Sequence, residues 1–386
     1  MRVLFACTQG AGHFNPLVPF AEACRRGGDE VLVVGPPPLA ESVERVGFPF
    51  WLGAAPPAAE LGGVLARVPT LSYDEGMRLV IGEIFATLNV RAMLPGMRAA
   101  VRDWRPDVIV REPAEFASAV VAEEMGVPHV EVGVTLAASY LEMMSIATEA
   151  VEAWGAGVMA HIAATPYLTL FPATLDDPAL PAPRPLHRFR AAAAADAPVR
   201  ALPDCWNGDD RPLVYVTFGS VIANVPTPVP IYDIAMKAVA DLPARVLLTT
   251  GATGESPVSA APASHVHVAR WVPQADVLAH ARVVVCHGGS GTTLGALAAG
   301  VPLVVTPLFA DQPQNGRRIA TVGAGINVEP GETGAIHSAI DPAALHDAIA
   351  AVLADETFTR AAGAIAAEIA ALPPADAALS VLAAAA

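Results

Sequence analysis

Two doubly wound α/β domains, each built on a parallel sheet, are the fold class that this sequence predicts. Three observations carry the prediction. Short apolar runs alternate with helical stretches along both halves of the chain, the pattern of strands covered on both faces by crossover helices. Between Pro172 and Pro212, proline, alanine and aspartate dominate and no periodicity persists, so this stretch reads as an interdomain connection. Finally, Arg282-Val283-Val284-Val285-Cys286 runs through His287-Gly288-Gly289-Ser290-Gly291-Thr292-Thr293 into a helical segment. A glycine-rich turn of that kind aims free backbone N–H groups at an anion, and the helix dipole adds partial positive charge.

In the first half, strands are predicted at Val3–Cys7, Glu30–Val34, Phe50–Leu52, Asp107–Val110 and His129–Val132, with helices at Leu17–Arg26, Leu39–Val46 and Phe116–Met125. Met125 is expected to pack against the sheet. Strands resume at Leu213–Phe218, Arg245–Thr249, Val266–Arg270, Val283–Cys286 and Leu303–Thr306, with helices near Pro230–Asp241, Gln274–Ala281, Gly291–Ala299 and Gln314–Val322. The tail from Asp341 is alanine-rich and helical, interrupted by Pro373-Pro374. The domains are set at 1–190 and 213–372, with a linker at 191–212 and a terminal helix at 373–386. Two such domains facing each other would bind ligands at the carboxyl ends of both sheets.

Composition narrows the function. A formal net charge of -15 argues against nucleic-acid binding, which needs basic patches. The apolar runs fall short of the roughly 20 residues needed to cross a bilayer; the longest, Gly295 to Ala310, is broken by Gly300 and Pro302. The N-terminal Met1-Arg2-Val3-Leu4-Phe5-Ala6-Cys7 reads as a strand rather than a signal peptide, so a soluble, cytoplasmic protein with no membrane partner is expected. Cys7, Cys24, Cys205 and Cys286 form no C-x-x-C pair, and reduced thiols are expected. Lys237 is the single lysine and sits in Ala235-Met236-Lys237-Ala238, which excludes a Walker A loop and leaves no good Schiff-base lysine.

The first strand-to-helix turn, Thr8-Gln9-Gly10-Ala11-Gly12-His13-Phe14-Asn15-Pro16, starts like a dinucleotide fingerprint. Asn15 replaces its third glycine, and Val33-Val34-Gly35-Pro36 offers no ribose-binding acid, so no nicotinamide or flavin cofactor is expected. The glycines instead open the turn for His13, which is placed for acid–base work. Parallel strands end on one edge, so Glu112 after the fourth strand can lie beside His13 and fix its tautomer, with Glu115 as the fallback partner.

In the second half, Gly219 and Ser220 can offer a backbone N–H and a hydroxyl to a phosphate. Trp271 offers a flat face for a nucleobase, and the Val272 backbone could pair with the base edge. Asp311 and Gln312 place an acid and an amide beside the anion turn. His287-Gly288-Gly289 also resembles a lipase oxyanion loop, but no downstream G-x-S-x-G follows. There is no D-x-D pair, so no metal is implied; the helix N-terminus and His287 would balance the diphosphate electrostatically. Seven of nine methionines lie between Met77 and Met159, near Trp51, Phe85, Tyr140 and Trp154. Such side chains line adaptable apolar pockets, although most also serve as helix core.

Together these residues resemble family 1 glycosyltransferases of the GT-B fold, over essentially the whole chain and closest to the actinobacterial antibiotic branch. The most specific stretch runs from Trp271-Val272-Pro273-Gln274 through His287–Thr292 to Asp311-Gln312-Pro313-Gln314-Asn315. The resemblance implies that Ser220, Trp271, Val272, Gln274, His287, Gly289, Ser290, Gly291 and Thr292 bind a nucleoside diphosphate. It implies that Asp311 and Gln312 bind the sugar, and that His13 is the base, with Glu112 where the family usually has aspartate. It also implies a terminal helix crossing back onto the N-terminal domain. The partners expected are a nucleotide-sugar donor, such as a TDP-deoxysugar, and a large hydrophobic aglycone touching Met77, Phe85, Tyr140 and Met144. The donor is a substrate and no cofactor is expected. A non-catalytic homologue and a sugar-nucleotide epimerase of the same fold are the alternatives; oligomeric state is left open, a homodimer included.

Overall fold

A computed structural model describes residues 1–181, 185–191, 202, 205–206, 208–219, 222, 230–251, 254, 256–259, 262–329 and 340–386. The chain divides into two compact units. The first comprises Met1–Pro172, Asp176–Ala193 and Leu372–Ala386; the second comprises Ala173–Leu175 and Ala194–Ala371. Most of the predicted connection at 191–212 lies outside the described residues.

The first unit is built on β1 (Arg2–Ala6), β2 (Glu30–Gly35), β3 (Phe50–Leu52), β4 (Val108–Arg111), β5 (His129–Val132), β6 (Tyr167–Thr169) and β7 (Leu186–Arg188). They form one sheet in the order β3-β2-β1-β4-β5-β6-β7, parallel throughout. Side chains alternate across the pleat. Leu4, Ala6, Leu32, Val34 and Ile109 enter one core, beneath helices Val90–Trp104, Phe116–Met125 and Ala137–Glu152. Val3, Phe5, Val31, Val33, Val108 and Val110 enter the other, beneath helix Val18–Arg26 and the C-terminal tail.

The second unit holds β8 (Leu213–Thr217), β9 (Arg245–Thr249), β10 (Val266–Ala269), β11 (Ala281–Cys286), β12 (Leu303–Val305) and β13 (Gly325–Asn327). Their order is β10-β9-β8-β11-β12-β13, again all parallel. In each sheet the strand order reverses once, between β1 and β4 and between β8 and β11. At such a point the outgoing loops diverge and leave a crevice at the carboxyl ends of the strands.

Three strands escape sequence reading. β6, β7 and β13 are three residues each, too short to show a period, and β7 lies inside the proline-rich stretch. The helix from Gln274 stops at Leu278, because Ala281 already pairs with β8. Met125 does not pack on the sheet: it ends its helix and is 40% exposed. A longer apolar stretch than Gly295–Ala310 also exists. The continuous helix Tyr73–Trp104 is long and apolar enough, by composition, to cross a membrane. Here Ile81, Ala86, Val90, Met93, Met97 and Val101 of that helix are buried in the first unit's core. Cys7 and Cys286 are fully buried, as expected of small packing residues.

The C-terminal tail returns to the first unit. Arg190 N–H donates to the Pro373 carbonyl (2.9 Å), and Ala375 N–H donates back to Arg190 (3.0 Å). Arg26 grips Asp376 with two hydrogen bonds of 3.0 Å each. Beneath them Ala375, Ala378 and Leu382 are buried among Phe20, Ala21 and Cys24. Gly27 keeps this approach open, since a β-carbon there would come within 2.9 Å of Leu379. The apolar contact outweighs the exposed ion pair, which contributes at most about 1 kcal/mol. Leu382→Ala should therefore lower unfolding free energy by about 2–3 kcal/mol in urea titration, whereas Asp376→Asn should cost much less.

Candidate active site

At the first reversal point, β1 runs into Thr8-Gln9-Gly10 and one short helical turn, Ala11–Phe14. Gly10 takes φ 110°, a conformation that favours glycine, and its carbonyl receives the His13 and Phe14 amides. Phe14 is buried and anchors the turn, while His13 remains about a quarter exposed, at 26%. Glu112 follows β4, whose last residue pairs in register with Ala6 of β1. The His13 Nδ1 and Glu112 Oε2 atoms are 3.0 Å apart.

Glu112 is fully buried. Its Oε1 accepts from Thr8 N–H (3.1 Å) and Thr8 Oγ1 (2.8 Å), and its Oε2 accepts from Ala114 N–H (2.8 Å) as well as from His13. Burial alone would push the carboxyl up; the His13 charge and hydrogen bond, with the Ala114 and Thr8 amides, outweigh it and hold the carboxyl at about 2. A carboxylate only accepts, so in the neutral imidazole His13 Nδ1 carries the proton and Nε2 keeps the lone pair. Glu115 is not the partner. Its Oε2 accepts from Ser118 N–H (2.8 Å) and caps helix Phe116–Met125, and burial raises its carboxyl.

The His13 ring meets Phe85 edge to face, with centroids 5.7 Å apart. Phe85 lies in Val80–Asn89, a π-helical stretch of the long helix, where the Ala86 carbonyl accepts from Trp154 Nε1 (2.8 Å). Wide turns of this kind are rare and concentrate at functional sites. Met77 lies half-buried on the same long helix. Tyr140 and Met144 lie in the core cluster against which Met77 and Phe85 pack. They are 4% and 9% exposed and packed in the core, on the buried stripe Tyr140, Met143, Met144, Ala147 and Val151 of their helix. Helical spacing accounts for that buried stripe.

At the second reversal point, β11 ends at Cys286 and helix Ser290–Ala298 begins after His287-Gly288-Gly289. The amides of Ser290, Gly291 and Thr292 lie in the first turn, where no carbonyl of the helix can receive them. A β-carbon on Gly289 would collide with His287 Nε2, so only glycine lets the ring lie against the turn. Gly219 closes on the same ring from the end of β8; a β-carbon there would stand 3.2 Å from His287 Cε1. Ser220 lies outside the described residues.

His287 is not a cation, contrary to the electrostatic share expected for it. Burial pushes its imidazolium down to about 4, with the Thr217 backbone opposing the shift. At neutral pH the ring offers only neutral hydrogen bonding, and the positive potential comes from the helix N-terminus. Its Nδ1 is buried without a hydrogen-bond partner among the described residues.

A network ties this turn to the end of β12. Ser290 Oγ donates to Asp311 Oδ2 (2.9 Å), and Asn315 Nδ2 donates to the same oxygen (3.0 Å) and to the Gly288 carbonyl (2.8 Å). Gln312 is buried, and its Oε1 accepts from the Leu308 and Phe309 amides (2.9 and 3.0 Å). Those bonds bend the loop so that Ala310 adopts φ 56°, the left-handed region. Asp311 is thereby presented half-buried beside the anion turn, and Gln312 Oε1 shapes the loop. Gln274 Nε2 donates to Thr292 Oγ1 (3.3 Å), and Val272 is half-buried. Trp271 is 73% exposed. Sequence reading missed Thr8 and Asn315. The four-residue spacing of Asp311 and Asn315 on one helix face was the available signal for the second.

Comparison with known proteins finds relatives over nearly the whole chain. Residues 192–366 match the family model described as UDP-glucoronosyl and UDP-glucosyl transferase, and residues 65–157 match that of the erythromycin biosynthesis protein CIII-like N-terminal domain. The chain is 32% identical to the elloramycin glycosyltransferase of Streptomyces olivaceus, over 97% of this chain and 95% of that protein. It is 28% identical to the tylactone mycaminosyltransferase of Streptomyces fradiae, over 97% and 90%. Its fold matches the crystal structure of the glycosyltransferase VinC in complex with DTDP, with a TM-score of 0.75 over 100% and 99% of the two chains at 22% identity.

Both histidine sites weaken in acid, over different windows. The folded His287 binds its proton only near pH 4, whereas an unfolded histidine does so near pH 6.5. The unfolded chain therefore holds more protons between these values, and stability falls as pH drops through them. Glu112 adds a second loss below its unfolded value, running toward about 2. Unfolding free energies measured from pH 8 to pH 3 should decline in two stages, and His287→Gln should remove the earlier one.

Proposed function

Because the chain belongs to the family 1 glycosyltransferases, and so is a sugar-transferring enzyme of the GT-B fold, we propose that it moves a deoxysugar from a thymidine diphosphate sugar to a hydroxyl of a large apolar natural product, inverting the anomeric centre. The observation that carries this reading is the His13–Glu112 pair. A fully buried carboxylate holds Nδ1–H, which leaves Nε2 as the base for an acceptor hydroxyl. In the proposed step the acceptor oxygen forms its bond to the anomeric carbon as His13 Nε2 takes the hydroxyl proton. The bond from that carbon to the diphosphate oxygen breaks, and the electron pair leaves with the nucleoside diphosphate. Proton transfer by a placed base contributes roughly 10²–10⁴-fold.

The second unit supplies leaving-group stabilisation in this reading. The amides of Ser290, Gly291 and Thr292 and the neutral His287 ring receive the diphosphate, and Asp311 receives sugar hydroxyls. Donors already aimed at the developing charge need no reorganisation during reaction. Trp271, exposed and flat, is the platform for the base. The donor's identity leans on the relatives: one is named for mycaminose transfer, and one fold neighbour was solved with a thymidine nucleotide. The acceptor's apolar character leans on Phe85 against the base and on half-buried Met77.

His13→Ala should reduce transfer at least a thousandfold while leaving calorimetric affinity for thymidine diphosphate unchanged. Near-wild-type turnover in that variant would remove His13 from the reaction. Trp271→Ala should do the converse. Thymidine diphosphate should bind at least tenfold more weakly, in keeping with stacking worth about 1–3 kcal/mol, while the melting temperature stays put. Equal affinity for thymidine and uridine diphosphates would remove the donor assignment.

A further inference from the structure

The residue immediately before Glu112 is a fully buried arginine. Arg111 ends β4 and sits in register with Glu131 of β5; both side chains are 0% exposed. The guanidinium forms an ion pair with the Glu131 carboxylate through Nη1. Its other donors leave the strand and enter the loop that follows. Nε donates to the Glu115 carbonyl (3.0 Å) and Nη2 to the Pro113 carbonyl (3.1 Å), while the guanidinium lies 5.6 Å from the Phe116 ring centre. These two carbonyls flank Ala114, whose N–H donates to Glu112 Oε2, the oxygen that holds His13.

We propose that Arg111, oriented by Glu131, is a positioning residue for the reaction, clamping the Glu112–Glu115 loop so that the Glu112 carboxylate stays fixed on His13. This rests on the reading of His13 as the base. Packing alone does not call for the pair. Removing two charges from water costs several kcal/mol per ion, and apolar residues of similar volume often hold a core equally well. What an apolar pair lacks is a planar fork that can bond one carboxylate and two carbonyls at set angles. Lysine, a single point charge, also lacks it. Freed from the clamp, the loop can rotate its Ala114 amide away and let the carboxylate drift. An error of about 1 Å at a reacting group can lower a rate a hundredfold.

Two variants and one spectroscopic readout test the clamp. Arg111→Lys keeps a charge for Glu131, and Arg111→Leu with Glu131→Leu removes the buried pair together, so that neither leaves an orphaned ion. Circular dichroism and thermal melting report folding, and calorimetry with thymidine diphosphate reports the second unit. In the folded variants kcat should fall about tenfold to a hundredfold, measured with a donor–acceptor pair that the wild-type chain turns over. Nucleotide affinity should not change. The His13 side-chain ¹⁵N spectrum should move from a single Nδ1–H tautomer to a mixture, which a merely structural residue would not cause. Wild-type kcat with an unchanged His13 spectrum, in whichever of these variants folds, overturns the proposal. His13→Ala separates the two failures. If it retains transfer, the base reading is wrong, and the tautomer spectrum of Arg111→Lys still decides whether the clamp exists.

Discussion

A carboxylate buried out of reach of water must receive every hydrogen bond from protein, and Glu112 meets that requirement with contributions from three segments. Thr8 comes from the end of β1, Ala114 from the loop after β4, and His13 from the helical turn. None of these is adjacent to Glu112 in sequence. The carboxylate therefore fastens the two central loops of the first sheet to each other, and the histidine is held as one member of that knot. Loss of any donor would leave a buried charge under-satisfied, at a cost of roughly 1–3 kcal/mol or more. The geometry of the His13–Glu112 pair and local stability are thus one constraint here.

The second unit meets the same topological situation with the opposite electrostatics. His287, like His13, follows a central strand at the point where the strand order reverses. Among the described residues no carboxylate contributes to its titration, and burial keeps it neutral. A neutral donor beside a helix N-terminus suits a leaving anion that must later depart, because it adds no full charge to be separated from the product. The acid in this unit is Asp311, set to one side and already hydrogen-bonded by Ser290 and Asn315. The same bonds that orient its carboxylate hold it beside the glycine-rich turn, directly through Ser290 and through Asn315 to Gly288. Ala310 in the left-handed region stores the strain of that arrangement, and the buried Gln312 carbonyl oxygen holds it there.

Periodicity made the architecture legible because central parallel strands must be apolar on both faces. His129–Val132, Arg245–Thr249 and helix Phe116–Met125 coincide with expectation residue for residue. The three-residue strands β6, β7 and β13 do not: β7 and β13 are sheet edges, where one neighbour demands little side-chain patterning, and β6 lies next to the β7 edge. His13 and Glu112 were legible for a topological reason: parallel strands that end on one edge bring their loops together. The neutrality of His287 was not legible, since it depends on how tightly Gly219 and Gly289 close on the ring. Phe85 was expected near an acceptor by composition alone. Its edge contact with His13 depends on a ten-residue π-helical segment that no 3.6-residue period describes. The burial of Tyr140 and Met144 was legible in their helical spacing with Met143, Ala147 and Val151.

Glutamate at position 112, where the resemblance leads one to expect aspartate, follows from how this loop is held. The carboxylate folds back on its own turn to accept from Ala114 N–H while also reaching Thr8 and His13. An aspartate, one methylene shorter, would have to choose between the turn and the neighbouring strand unless the backbone moved toward β1. The backbone here is not free to move. Pro113 restricts the chain just after Glu112, Ala114 and Phe116 are buried, and the Arg111 fork fixes the carbonyls of Pro113 and Glu115. With the loop pinned at that distance, the longer side chain is the one that spans the gap. The acid's identity and the buried arginine behind it are therefore a single solution, in which the rigidity of the loop dictates the length of the residue it carries.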